Sequence, residues 1–199
     1  MSTLQVPPNA PSFGGPVSRA FGRLMMRIVR MKVTGSVPDV PKAILIGTPH
    51  TSNWDLILAL GMRYELGLKY HWMMKKEAFF FPFGGMFKRM GGIPVDRKAA
   101  KNAVGQIEDW FNSQEKAWIG ITPSGTRSKV ERYKKGYLRI AYATGIPIYL
   151  VGVDSVSRTL VFDKAMELSD DIDEDNERIR TFVRSKYTCL LYTSPSPRD

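Results

Sequence analysis

The chain has 199 residues, 43% hydrophobic and 24% charged, the make-up of one globular domain with a sizeable core. A formal net charge of +10 favours anionic partners such as nucleic acid, an anionic membrane surface or phosphorylated substrates, while one cysteine, Cys189, excludes an intramolecular disulfide framework and a cysteine-based metal site. Nothing resembles a secretory signal and no apolar run approaches the roughly 20 residues needed to cross a bilayer, so a cytoplasmic protein is expected, soluble or peripheral on the inner face of the cell membrane.

Residues 1–17 carry Pro7, Pro8, Pro11, Gly14, Gly15 and Pro16 and read as a flexible lead-in. The domain proper is expected over 18–188. It opens with a helix from Ser18 to Met31, in which Arg19, Arg23, Arg27 and Arg30 recur at helical spacing and Phe21, Leu24, Met25, Ile28 and Val29 fall on another face. Such a basic amphipathic helix suits an anionic membrane interface; the alternative is a terminal helix docked on its own domain with a solvated arginine face.

A buried strand, Ala43–Gly47, and a helix over 53–66 flank Thr48-Pro49-His50-Thr51-Ser52-Asn53-Trp54-Asp55. On one continuous helix, His50 and Asp55 would point about 140° apart. They meet only if His50 lies in the preceding loop and Asp55 in the first helical turn. Pro49 favours that break, and Ser52 or Asn53 can cap the helix. An imidazole with a carboxylate beside it, at a strand-to-helix loop, is the arrangement of an oriented general base.

Lys69–Met74 reads as a strand, with His71 packed inside it rather than catalytic. Phe79, Phe80, Phe81, Phe83 and Phe87 are expected in the core, the alternative being an apolar groove for an acyl chain. Gly91–Arg97 makes a turn into a very short strand, and Lys98–Asn112 a helix. Ala117–Ile121 is a second buried strand. It leads into Thr122-Pro123-Ser124-Gly125-Thr126-Arg127-Ser128, a loop of hydroxyls and backbone donors with an arginine at its exit that suits phosphate. A short helix, Tyr137–Thr144, and a third buried strand, Ile146–Val153, follow, with Ser157–Phe162 as a possible fourth. The acid-rich run Asp170–Glu177 is expected to open the last helix as a solvated face. Residues 189–199 break the pattern and read as a non-native tail. Buried strands alternating with helices predict a single α/β domain with a mostly parallel sheet flanked by helices. In such a sheet ligands gather at the carboxyl ends of the strands, which His50, Asp96-Arg97 and Ser124–Arg127 all follow closely.

Together these segments resemble the glycerolipid acyltransferase family, whose best-known members are 1-acyl-glycerol-3-phosphate acyltransferases. His50-x-x-x-x-Asp55, Gly92–Arg97, Pro123–Ser128 and Gly145–Ile148 match its four blocks in order. Pro49 stands where many members have Asn, and Ser124 where nearly all have Glu. The resemblance implies acyl transfer from acyl-CoA or acyl carrier protein to the free hydroxyl of a lysophospholipid, with His50 as base and Asp55 as its orienting acid. Arg127, Gly125 and Thr126, with Arg97 and Lys75, would bind substrate phosphate; no metal, redox cofactor or nucleic acid is implied. Two other readings follow from the residues: a serine-dependent esterase or thioesterase built on Ser124, His50 and Asp55, and a catalytically impaired binder of anionic lipid.

Overall fold

The computed structural model describes residues 4–48, 54–96, 99, 102–123, 133–169 and 171–187. Seven strands form one sheet: β1 (Lys32–Gly35), β2 (Lys42–Thr48), β3 (His71–Lys75), β4 (Gly92–Val95), β5 (Ala117–Ile121), β6 (Ile148–Asp154) and β7 (Thr159–Met166). Their order is β1-β7-β6-β2-β5-β3-β4. β6, β2, β5, β3 and β4 run mutually parallel. β7 returns antiparallel to β6 through a tight turn, and β1 lies parallel on its outer edge. The predicted mostly parallel α/β sheet is therefore present, extended by β1, which the sequence pattern did not reveal.

The central strands are apolar on both sides because both faces are covered. Ile44, Ile46, Ile119, Ile148 and Leu150 pack under α4 (Ala103–Asn112), α5 (Gly136–Thr144) and α6 (Ile172–Lys186). Ala43, Leu45, Trp118, Val151 and Val153 pack under α1 (Pro16–Ile28) and α2 (Trp54–Leu66). The short α3 (Phe83–Met90) joins the second layer: Gly92, paired with Trp72, faces Met74, Phe79 and the Phe87 carbonyl on that side.

α1 and α2 pack antiparallel. The two backbones lie close at Gly22, where an added Cβ would sit 2.0 Å from the Glu65 nitrogen, so a side chain there would hold them apart. Met26 fills the next turn against Gly61.

Three expectations are corrected. In place of a flexible lead-in, residues 4–15 are laid along the domain: Phe13 N donates to Gly67 O (2.8 Å), Pro11 O accepts from Lys69 N (2.8 Å) and Ala10 is buried. Beneath it, buried Arg63 donates to the Tyr70 carbonyl and lies 4.5 Å from the Phe13 ring. Secondly, the phenylalanines after β3 are not core: Phe80, Phe81 and Phe83 are exposed. Thirdly, the acidic run is not wholly solvated. The run opens α6 as expected, with Asp171 as its cap (Asp173 N, 2.8 Å), but Asp175 is fully buried and accepts from Tyr142 OH (2.5 Å), Ser169 N (2.9 Å) and Arg178 (2.7 Å). No described helix is long and apolar enough to cross a membrane. The expected tail, 189–199, lies outside the described residues.

Candidate active site

Four adjacent parallel strands, β2, β5, β3 and β4, end on one edge of the sheet. β2 and β5 are in register at Ile46 and Ile121, and β3 and β4 at Lys75 and Val95. The connections that follow them leave side by side from this edge, the usual ligand edge of a parallel sheet.

The chain leaves β2 at Thr48 and re-enters α2 at Trp54; Asp55 is the second residue of α2, in its first turn as expected. His50 lies outside the described residues. Gly125, Thr126 and Arg127 also lie outside them, as do Ser124 and Arg97. Lys75, the last residue of β3, is exposed at the same edge. The structure thus places Asp55 and Lys75 at the carboxyl edge and fixes the strand ends from which the other predicted residues depart.

Those ends are held by side chains that the sequence pattern did not single out. Gln106 of α4 grips the backbone of Asp96 from both sides: Asp96 N donates to Gln106 Oε1 (3.0 Å), and Gln106 Nε2 donates to Asp96 O (2.7 Å). Lys76 pairs with the Asp96 carboxylate at 3.1 Å. The point where the second block leaves β4 is therefore fixed by α4 and by the end of β3. The connection after β5 is drawn together at its stem, where Lys134 N donates to Pro123 O (2.9 Å). Its exit is pinned from α6: Asn176 Nδ2 donates to Tyr133 O (3.0 Å), and Asn176 Oδ1 accepts from Tyr137 OH (2.8 Å). Asn176 is buried, so both halves of its amide are spent on positioning this segment. The only sequence signal for Gln106 was a polar residue beside the apolar positions Val104 and Ile107. Asn176 was hidden inside a run that looked uniformly solvated.

His71 stands at the amino end of β3, remote from this edge, with its ring 4.9 Å from Trp110. Burial drives its pKa down to about 4, helped by Arg63 and Lys69 and opposed by a hydrogen bond with the Trp118 backbone. Its place in the sheet is what the sequence predicted for it.

No curated protein sequence matches the chain. Among solved structures, the 1-acyl-sn-glycerophosphate acyltransferase PlsC of Thermotoga maritima shares the fold, with 19% identity and a TM-score of 0.59 over 87% of this chain and 80% of that one. The family model Acyltransferase matches residues 30–154, a span that runs from the approach to β1 to the end of β6 and contains all four blocks and every strand end of the carboxyl edge. The chain belongs to the acyltransferase family, as the order of those blocks implied.

Proposed function

We propose that the protein transfers an acyl chain from an acyl thioester, acyl-CoA or acyl carrier protein, to the free hydroxyl of a lysophospholipid, most specifically 1-acyl-glycerol-3-phosphate. One observation carries this reading: the His50 and Ser124–Arg127 segments follow adjacent strands in register at Ile46 and Ile121, with Asp55 in the first turn of α2. The likeness to PlsC, named for 1-acyl-sn-glycerophosphate, agrees with it.

In this mechanism His50 takes the proton of the attacking hydroxyl, and Asp55 holds the tautomer and stabilises the imidazolium. The new C–O bond forms as the thioester carbonyl becomes a tetrahedral oxyanion, stabilised by backbone N–H donors. Collapse breaks the C–S bond, and the imidazolium returns its proton to the leaving thiolate. Neither a metal nor a redox cofactor has a step to perform. Arg127, with Gly125 and Thr126, binds the acceptor phosphate, supported by Arg97 and Lys75. The anionic face of a membrane supplies the acceptor, and α1 meets it. That helix rests on α2 through Gly22 and Met26 while Val17, Phe21, Leu24 and Ile28 stay exposed beside its arginines, which supports this reading. The protein then works in the cytoplasm at the inner membrane face.

The test is thiol release from acyl-CoA in the presence of lysophosphatidate. His50→Ala is expected to lower turnover by about 10²–10⁴-fold with an unchanged circular dichroism spectrum; near-normal turnover would overturn the mechanism. Arg127→Ala is expected to raise the acceptor KM, and a defect confined to kcat would count against phosphate binding.

A further inference from the structure

The segment between β3 and β4 is built to hold aromatic side chains outside the core. After β3 a short 3₁₀ turn, Lys76–Ala78, leads to Phe79-Phe80-Phe81-Pro82 and then α3. Phe79 and Phe87 anchor the base, with ring centroids 6.1 Å apart. The turn closes where Gly84 N donates to Phe80 O (2.8 Å), and a Cβ on Gly84 would meet the Phe79 carbonyl at 2.6 Å. The opposite side carries Phe80, Phe83 and Met86, exposed by 58, 45 and 47%, and Phe81, exposed by 94%. Phe80 and Phe83 are stacked edge to face at 5.5 Å. In the same segment Lys75, Lys88 and Arg89 are exposed, Lys76 is exposed but paired with Asp96, and Glu77 is the sole acid between Lys75 and Val95.

We propose that this aromatic turn is a second bilayer contact, in addition to α1: Phe80, Phe81, Phe83 and Met86 enter the interfacial zone of an anionic membrane, and Lys88 and Arg89 in the last turn of α3 engage its phosphates. Aromatic side chains ringed by lysine and arginine match that interface in both polarity and charge. A second copy of the chain fits poorly, because a two-fold contact would bring the same basic rim against itself. A substrate-pocket wall fits poorly too, because Phe81 projects into solvent. The turn starts at the carboxyl end of β3, the edge from which the candidate catalytic segments leave, and α3 lies in the same layer as α1 and α2. Contact here turns that edge toward the lipid. This consequence rests on the lipid-acyltransferase reading; the binding itself does not.

The experiment uses the full chain with vesicles of phosphatidylcholine alone or mixed with phosphatidylglycerol. In flotation, Phe80→Ser/Phe81→Ser is expected to lower partitioning onto mixed vesicles by about tenfold or more. Turnover on a monomeric short-chain lysophosphatidate should stay within about twofold, as for exposed positions generally. Phe81→Trp, read against the background of the four native tryptophans, should gain a blue-shifted emission quenched by brominated lipid. Wild-type-like flotation of the double variant overturns the proposal, as does an added emission in Phe81→Trp that is indifferent to brominated lipid. So does a dimer in solution that the double variant dissolves, or an equal loss of turnover on monomeric substrate. If vesicle binding behaves as expected while no acyl transfer is found, the catalytic reading falls and the docking surface stands.

Discussion

α1 and α6 are both amphipathic helices on the outside of the sheet, on opposite faces, and they are finished for different surroundings. α6 buries Ile179 and Val183 and matches its charges: Arg178 with Asp175, Arg180 with Glu177, Lys186 with Asp163 at 2.5 Å. It exposes no large hydrophobic side chain. α1 buries only Gly22 and Met26, exposes Val17, Phe21, Leu24 and Ile28, and carries arginines in a chain with no acid before Asp39. A helix that only had to meet water would not keep four large apolar residues in one exposed stripe. One layer of this domain is closed against solvent at α6, and the other exposes an apolar stripe beside arginines at α1.

The same substitution made in both helices puts this contrast under the greatest load. Ile179 is fully buried, and Ile179→Ala is expected to cost about 2–5 kcal/mol in urea unfolding. Ile28 is 70% exposed. Ile28→Ala should change stability by no more than about 0.5 kcal/mol yet weaken flotation on anionic vesicles. Comparable destabilisation by both would mean that α1 is finished for water like α6.

Gly22→Ala tests how α1 is seated. Alanine in a helix interior normally stabilises by about 1 kcal/mol relative to glycine. Here the new methyl would meet the α2 backbone, and a net loss of about 1–3 kcal/mol is expected instead, with vesicle binding lowered as α1 loses its footing. A stabilised variant would show that α1 is not held against α2 at this point.

The layer assignment was legible where periodicity was strong. Ala43–Gly47, Ala117–Ile121 and Ile146–Val153 read as buried strands because both faces of the sheet are covered, and they are the centre of the sheet. β1 was not legible: Lys32–Gly35 is four residues long at an edge, with one buried side chain, Val33, too short for an alternation to register. The aromatic turn misled because hydrophobicity alone does not distinguish a core from a projecting surface. At the candidate site, the identities of the blocks and the helix start before Asp55 were legible. The clamps made by Gln106 and Asn176 were not, because a buried amide bonded to backbone looks, in sequence, like any surface polar residue.

Asn176 tests the closed layer from within, since α6 also holds the exit of the connection after β5 at Tyr133. Asn176→Leu removes the partner of both Tyr133 O and Tyr137 OH. Leaving such groups buried costs about 1–3 kcal/mol. Because Tyr133 is where the chain emerges after the third block, the acceptor KM should rise more than kcat falls. An unchanged KM with lowered stability would reduce Asn176 to a purely structural role.

His71 probes the boundary between the two layers, and its effect is the smallest. The ring packs on Trp110 beneath the α4 layer, while Arg63 and Lys69 add to the burial that holds its pKa near 4. The ordinary value in the unfolded chain is 6.5. Between these values the unfolded chain binds a proton that the folded protein refuses. Stability from this residue is therefore complete above pH 6.5 and is lost as pH falls toward 4. With solvent screening at a partly exposed site, the loss is on the order of 1 kcal/mol. His71→Phe keeps a ring against Trp110 and removes the titration, so its melting temperature should be flatter than that of the parent over this window. Below it both proteins should lose stability together. Burial raises the Asp163 carboxyl, but bonds from Lys186 and Tyr187 outweigh that and hold it below 3.8, so its contribution disappears only as pH falls past that lowered value. If His71→Phe kept the full acid slope between pH 6.5 and 4, the slope would have to come from groups other than His71.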